Sequence, residues 1–435
     1  MKKFVPFGVL LVFVGLALAF PSVERCCPHG TKFDSGDIAW MLTATALVLI
    51  MTPGLAFFYG GMVTKKNVLS TMMQSFVCMG AITIIWVVFG FSLAFGDSWH
   101  GIIGDPRTYF MMKGMLGDAT WKLAPTIPLV LFAMFQLKFA VITPALITGA
   151  FAERIRFNSY IIFICLFIIF IYTPLAHWAW HPDGILAKLG VLDFAGGTVV
   201  HMSAGWAALA SALYLKQRSD VKHAPARISY VLLGTGLLWF GWFGFNAGSA
   251  LGSGLLAAQA LATTTTASAS AAIGWIFFDI MRNKKPSVMG ACIGAVVGLV
   301  AITPAAGYVT IPHSIVIGVV AACISNMVVL WRTNTSIDDT LDVFPCHGVG
   351  GMVGLVLTGV FAHQNVNAAN TTGNGLIWGE THLFFVHLIA LVGVSAFAFF
   401  GSLALLKVTD MISKLRVTPE EEEAGLDISQ HDEGL

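Results

Sequence analysis

Charge is what this sequence has least of. Of 435 residues only 11% are Asp, Glu, Lys or Arg, while 57% are hydrophobic. Soluble globular chains carry about a quarter charged residues, so a water-soluble enzyme of this size does not fit: it could not cover its surface. The 24 basic and 23 acidic residues leave a net charge of +1. No field exists to draw a polyanion, and nucleic acid is not an expected partner. Cysteine is sparse too, with seven residues, no CxxC and no Cys/His ligand spacing, so neither a metal nor another cofactor is expected. No nucleophile–base set is found either, which argues against an enzyme. Cys26 and Cys27 lie where oxidation is possible, whereas Cys78, Cys165, Cys292, Cys323 and Cys346 read as small buried hydrophobes in apolar stretches. What the chain has instead is 33 Phe, 12 Trp and 45 Gly. That apolar content excludes disorder and leaves an all-α integral membrane protein of many spans.

The amino end, MKKFVPFGVLLVFVGLALAF, sets Lys2 and Lys3 before a short apolar run, and Ala17-Leu18-Ala19 fits the small-x-small cleavage rule. Residues 1–19 therefore read as a signal peptide, with a retained first span as the other reading. Either way, residues 21–35 are expected to face outward.

A helix crossing the hydrocarbon needs about 20 apolar residues. Eleven such stretches are expected, near 36–60, 69–95, 124–149, 158–178, 194–216, 228–249, 255–281, 287–303, 312–331, 346–362 and 377–407. The basic residues of alternate loops orient them. One set of loops holds fifteen: Lys65, Lys66, Arg154, Arg156, Lys216, Arg218, Lys222, Arg227, Arg282, Lys284, Lys285, Arg332, Lys407, Lys414 and Arg416. The other holds six. The richer side is cytoplasmic, which puts the mature amino end outside and the carboxyl tail, 408–435, inside. Eleven spans suggest an inverted five-helix repeat plus one long C-terminal helix, and substrate sites tend to lie where such halves meet. A faint internal echo supports this, with His201-x-x-x-Gly205 in the fifth span and His347-x-x-x-Gly351 in the tenth.

Polar groups at membrane depth are costly and are functional candidates. His201, His347, Asp193, Lys138, Asn246 and Ser249 are the ones found here. Two neutral imidazoles can share one hydrogen and so could carry a proton, bind a metal or bind a small donor such as ammonia. The plainer reading of each is a helix-to-helix hydrogen bond. Phe135 and Phe139, four apart, share one face of the third span. Trp180 reads either as an interfacial belt residue or, with Phe139 and Ser249, as part of a cage whose ring faces attract an ammonium-like ion. Gly60-Gly61, Gly196-Gly197 and the Gly348/Gly350/Gly351/Gly354 run suit close helix crossings.

From about residue 36 onward the chain resembles the ammonium transporter, methylammonium permease and Rhesus family, in its bacterial ammonium transporter branch. The stretches that carry the resemblance are Thr52-Pro-Gly-Leu-Ala-Phe-Phe-Tyr-Gly-Gly61, Gly149-Ala-Phe-Ala-Glu-Arg-Ile-Arg-Phe157, Asp193-Phe-Ala-Gly-Gly-Thr-Val-Val-His201, Gly241-Trp-Phe-Gly-Phe-Asn-Ala-Gly-Ser249 and Asp342-Val-Phe-x-x-His347-Gly. The resemblance implies a homotrimer in the plasma membrane (the inner membrane of a bacterium), with eleven helices and one pore per subunit, conducting ammonium or ammonia and small relatives such as methylammonium. It implies an outer recruitment site at Phe139, Trp180 and Ser249, with Phe135 as a second aromatic. Gln136, directly after Phe135, matches the family's Gln at that place. Phe139 and Phe245 would be the gate, His201 and His347 the twin pore histidines, and Asp193 a supporting acid. The tail residues Gly425, Leu426, Asp427 and His431 stand at family spacing. They imply a segment docked under the protein that supports gating by a PII-type signalling protein; the alternative is a solvated acidic tail. Two other functions stay open: an ammonium sensor of the same fold with little flux, against which the short tail argues, and a Rhesus-like gas channel. Three departures stand out: Lys138 directly before Phe139, Asp432 after His431 where Gly is usual, and Pro345-Cys346 before His347.

Overall fold

The computed structural model describes residues 5–21, 33–221 and 224–434. Cys26, Cys27 and Lys222 lie outside the described residues. Among those described, ten helices are long and apolar enough to cross a membrane. They are the first span Ser35–Met62, second Lys65–Phe95, third Leu129–Phe151, fourth Phe157–Leu189, fifth Gly197–Leu215, sixth Ile228–Ala247, seventh Leu255–Met281, ninth Ile311–Thr333, tenth Phe344–Phe361 and eleventh His382–Ile412. The eighth, Val288–Ile302, is a 15-residue helix, about 22 Å long at 1.5 Å per residue. It packs against the sixth, seventh, ninth and tenth spans. Surrounded by protein, it does not have to match the hydrocarbon thickness. A separate apolar helix, Val5–Ala19, precedes the spans, and many of its side chains are exposed.

The eleventh span starts later than the composition suggests. Residues Leu376–Trp378 form their own turn, closed by Gly379 at φ +89°, a backbone region glycine enters at little cost. Its far end runs on to Ile412. The fourth breaks at His181, whose backbone is extended, and resumes as the short helix Ile185–Leu189.

The inverted repeat is legible in which spans touch. The first packs on the sixth, and the fifth crosses the tenth near both of their starting segments. A two-fold axis in the membrane plane brings equivalent elements together in this way. The remaining neighbours repeat as well. The third contacts the first, second and fifth, as the eighth contacts the sixth, seventh and tenth. Both central crossings use glycine. A Cβ on Gly54 would lie 2.9 Å from that of Leu237 in the sixth span. One on Gly205 would fall onto the backbone of Gly348.

Five spans contain a π-helical stretch: Trp86–Gly90, Ile168–Tyr172, Gly197–Met202, Phe243–Ala247 and Phe344–Val349. Such wide turns concentrate at functional sites, and the last three carry His201, Phe245 and His347. Pro345 sits in the first turn of its stretch, where a missing N–H costs no helical hydrogen bond.

At the end that carries the tail, buried charges are paired, as they must be. Arg218 meets Glu153 at 2.7 Å and Asp338 at 2.9 Å, with all three side chains almost wholly buried. Arg154 donates to the Asp338 carbonyl and to the Thr340 hydroxyl. Burial alone would raise the Asp338 carboxyl, but the Arg218 hydrogen bonds and the charge of Arg154 hold it below the usual carboxylate range.

Candidate functional site

The site begins at a short acidic cap. Asp193 accepts hydrogen bonds from the backbone N–H groups of Gly196 (2.9 Å), Gly197 (2.6 Å) and Thr198 (2.8 Å), and from the Thr198 hydroxyl. These are donors that the start of the fifth span would otherwise leave unpaired. Gly196 turns there at φ +114°. The Asp193 carbonyl takes the Trp180 indole N–H at 3.0 Å. One residue thus fixes both the start of the helix bearing His201 and the ring of Trp180.

Phe139, Trp180, Ser249, Gln136 and Asp193 all line one vestibule of about 290 Å³. Trp180 stands edge-on to Phe139 with ring centres 5.8 Å apart. The Ser249 hydroxyl donates its proton to the Phe245 carbonyl at 2.8 Å, which leaves its oxygen free to accept. The Gln136 Oε1 is buried without a hydrogen-bond partner. Phe135 does not share the vestibule wall. It is fully buried, edge-on to Phe139 at 4.9 Å and close against Gly248. Lys138 is half-buried and also stands off the vestibule lining, as expected one helical step, about 100°, round from Phe139.

The vestibule floor is the ring pair Phe139 and Phe245, with centres 4.3 Å apart and both rings buried. Phe245 also lines the next space, a narrow void of about 10 Å³, room for one water-sized molecule, walled by Met51, Leu55, Phe58, Ile142 and Leu146, where His201 and His347 bring the polar groups. The two imidazoles lie nearly parallel, 24° apart, with their Nδ1 atoms at 3.3 Å. A single hydrogen shared between these atoms makes one ring the donor and the other the acceptor. His201 stacks on Trp242 at 5.3 Å and 17°, and its Nε2 is buried with no partner among the described residues. A second void of about 10 Å³ continues past His347 to Phe58, Tyr59, Met62, Ile293 and Leu341. The sequence residues Phe139, Phe245, His201 and His347 therefore fall in line.

Two residues here were not read from the sequence. Trp242, anchored by its indole N–H to the Thr303 hydroxyl at 3.0 Å, fixes the His201 ring plane; as a Trp inside an apolar span it gave no signal. Asp339 did leave one. It precedes His347 by the same eight residues by which Asp193 precedes His201, and its carboxylate takes the Phe344 N–H at 2.7 Å. Its other oxygen is unpartnered. Burial pushes its carboxyl above the usual range, against the pull of that N–H and of Arg332.

The tail packs beneath the start of the second span and beside the start of the fourth. Asp427 accepts from the N–H groups of Leu69 (3.1 Å) and Ser70 (2.7 Å) at the start of the second span, a capping arrangement favoured by the helix dipole. Leu426 N–H donates to the Asn67 side chain at 2.7 Å. His431 contacts the Ser70 hydroxyl and stands edge-on to Phe157. Gly425 adopts φ +93° tight against Lys66, and Lys66 donates to the Glu422 and Glu423 carbonyls. Arg156 pairs with Glu421 at 2.8 Å. Asp432 closes the last helix at φ +56°, a left-handed position in which Asp is tolerated and Gly is easier. Removing the cap by Asp427→Ala is expected to cost the docked tail about 1–3 kcal/mol. Tryptic cleavage near Arg416 should then speed up about tenfold; an unchanged rate would show that the cap contributes nothing.

The chain has clear relatives. A model described as the Ammonium Transporter Family matches residues 39–434. The ammonium transporter of Aquifex aeolicus is 45% identical over 97% of this chain and 98% of its own. The crystal structure of Candida albicans Mep2 superposes with a TM-score of 0.84 at 36% identity, covering 90% of this chain and 88% of that one. A structure described as a sensor Amt protein matches with a TM-score of 0.82 at 29% identity, over 91% of this chain and 98% of the other.

Proposed function

We propose a conduction route for this chain from the premise that it belongs to the Ammonium Transporter Family and is a multi-pass membrane protein that moves ammonium, not an enzyme. An ammonium ion is held in the vestibule against the aromatic surface offered by Phe139 and Trp180, with the Ser249 oxygen accepting one of its hydrogen bonds. Ring faces attract such a cation by about 0.5–2 kcal/mol. The Asp193 charge favours the ion from behind its own hydrogen bonds, without contact. A charged ion cannot enter the apolar void below without a large desolvation penalty, whereas neutral ammonia can. The ion therefore gives a proton to vestibule water before the Phe139–Phe245 pair, and neutral ammonia passes the pair when the rings part. Ammonia then donates to the bare imidazole nitrogen and accepts from the protonated one along His201 and His347, and is reprotonated beyond the second void. Potassium has no proton to lose and stays out.

The observation that carries this reading is the pair of imidazoles, Nδ1 to Nδ1 at 3.3 Å, in an otherwise apolar void directly under two closely packed phenyl rings. Residues 1–19 act as a cleaved signal peptide, the mature amino end lies outside, and the tail lies in the cytoplasm. There the tail's docked segment is the surface for a PII-type partner, and three copies assemble as a trimer. A sensor role shares the fold, but the vestibule, gate and voids form a route that a receptor alone does not need.

Ammonium pulses on the protein in planar bilayers, together with methylammonium uptake in cells, test the route. The wild type should take up methylammonium; an accompanying ammonium current would show that the released proton follows ammonia along the two imidazoles. His201→Ala and His347→Ala should each lower the rate by about tenfold, the effect of one hydrogen bond lost in a dry channel. Neither current nor uptake in the wild type would replace transport by sensing, and histidine variants at full rate would remove the imidazoles from the route.

A further inference from the structure

His387 lies in the eleventh span, fully buried and away from both the vestibule and the voids. Both its ring nitrogens are used. Nε2 lies 3.0 Å from the backbone N of Leu192, and Nδ1 lies 2.7 Å from the carbonyl O of Leu355. A backbone N–H only donates, so Nε2 is the bare acceptor and the proton sits on Nδ1, donated to Leu355. One neutral ring thus joins the eleventh span, the tenth span and the strand of chain entering Asp193. Leu192 is the residue before Asp193, whose carbonyl holds the Trp180 indole and whose carboxylate holds the first turn of the His201 helix. The Leu192 N–H is buried with its residue, and no helix or sheet pairing holds that segment.

We infer that His387 is a positioning residue for substrate recruitment: its Nε2 fixes the Leu192–Asp193 backbone and through it the orientation of Trp180. This rests on the reading of Trp180 as part of the recruitment site. Without the acceptor, a buried N–H loses its only partner among the described residues, and the backbone that carries the Trp180 anchor moves to find another.

The test is methylammonium uptake kinetics on protein quantified in the membrane. His387→Gln keeps both hydrogen bonds, because its amide oxygen can accept from Leu192 and its amide nitrogen can donate to Leu355. It should leave the apparent KM within about twofold of wild type. His387→Leu keeps the bulk and loses both bonds. It should raise KM about tenfold with a smaller change in maximal rate, as expected for one unpaired buried donor near the site. If the Leu variant fails to accumulate, His387→Asn, too short to reach both partners, takes its place with the same expectation. In a Trp180→Leu background the His387→Leu effect on KM should largely vanish, since coupled sites are not additive. An unchanged KM in the Leu or Asn variant, a Gln variant as impaired as Leu, or full additivity with Trp180→Leu would each overturn the inference. If Trp180→Leu alone leaves KM unchanged, it is the recruitment site itself that fails.

Discussion

Asp193→Ala should lower ammonium uptake by at least about a hundredfold, and should do so through backbone geometry as much as through charge. The carboxylate accepts from three consecutive N–H groups and one hydroxyl at the opening of the fifth span. An unpaired buried donor costs about 1–3 kcal/mol. Water from the vestibule can reach some of these groups, so the net loss is about 3–4 kcal/mol, which is two to three powers of ten in the population of the competent state. The same substitution removes the only carboxylate on the vestibule wall among the described residues. Asp193→Asn separates the two effects. Its amide oxygen can still accept from part of the first turn, so the protein should accumulate and keep its melting temperature within a few degrees. Its missing charge should still raise the apparent KM for the cation. Wild-type uptake by the Ala variant would show that neither the cap nor the charge matters. An Asn variant with wild-type KM would leave Asp193 as a structural cap alone.

Much of this architecture was legible in the residues. The spans are long apolar runs punctuated by Pro, Gly and charge, and their number and inverted arrangement follow from composition and parity. The short eighth helix is the instructive exception, since its sequence is apolar enough to read as a span while its length is set by burial among four neighbours. The two histidines stood out because they occupy matching places in two spans, each followed four residues later by glycine. The path between them did not, because ring stacking and the π-helical openings at Gly197–Met202 and Phe344–Val349 depend on which helices meet, which local pattern cannot say. Trp242 illustrates this: nothing in its neighbours distinguishes it from a lipid-facing Trp until His201 is seen lying on it. Asp339 lies between. Its eight-residue offset to His347 repeats that of Asp193 to His201, a signal present in the sequence and readable once the two halves are aligned. Phe135 shows the limit of spacing arguments, since sharing a helix face with Phe139 put it behind the gate ring rather than on the vestibule wall.

Gly205→Ala should nearly abolish transport, and Gly348→Ala should be clearly milder, although the two residues face each other. A Cβ on Gly205 would fall onto the Cα and N of Gly348, with the His347 carbonyl carbon 3.1 Å away. Those are backbone atoms of the tenth span next to the pore histidine, and they cannot rotate aside. A Cβ on Gly348 would instead meet the Phe344 ring at 2.9 Å and the Gly205 Cα at 3.3 Å. A ring can swing a few tenths of an ångström. Overpacking costs about 1–3 kcal/mol where neighbours can yield, so the Gly205 variant should fall at or beyond the top of that range and the Gly348 variant near its foot. The geometric consequence is more specific than the loss of stability. Pushing the fifth and tenth spans apart at this crossing lengthens the His201–His347 contact, which at 3.3 Å is already at the outer edge of a hydrogen bond. Protein that survives Gly205→Ala should therefore still recruit substrate, since vestibule and crossing are built from different residues. Its maximal uptake rate should fall by about tenfold or more with little change in KM. Equal effects from the two alanines, or a Gly205 variant that changes KM and spares the maximal rate, would mean that this crossing does not set the distance between the two imidazoles.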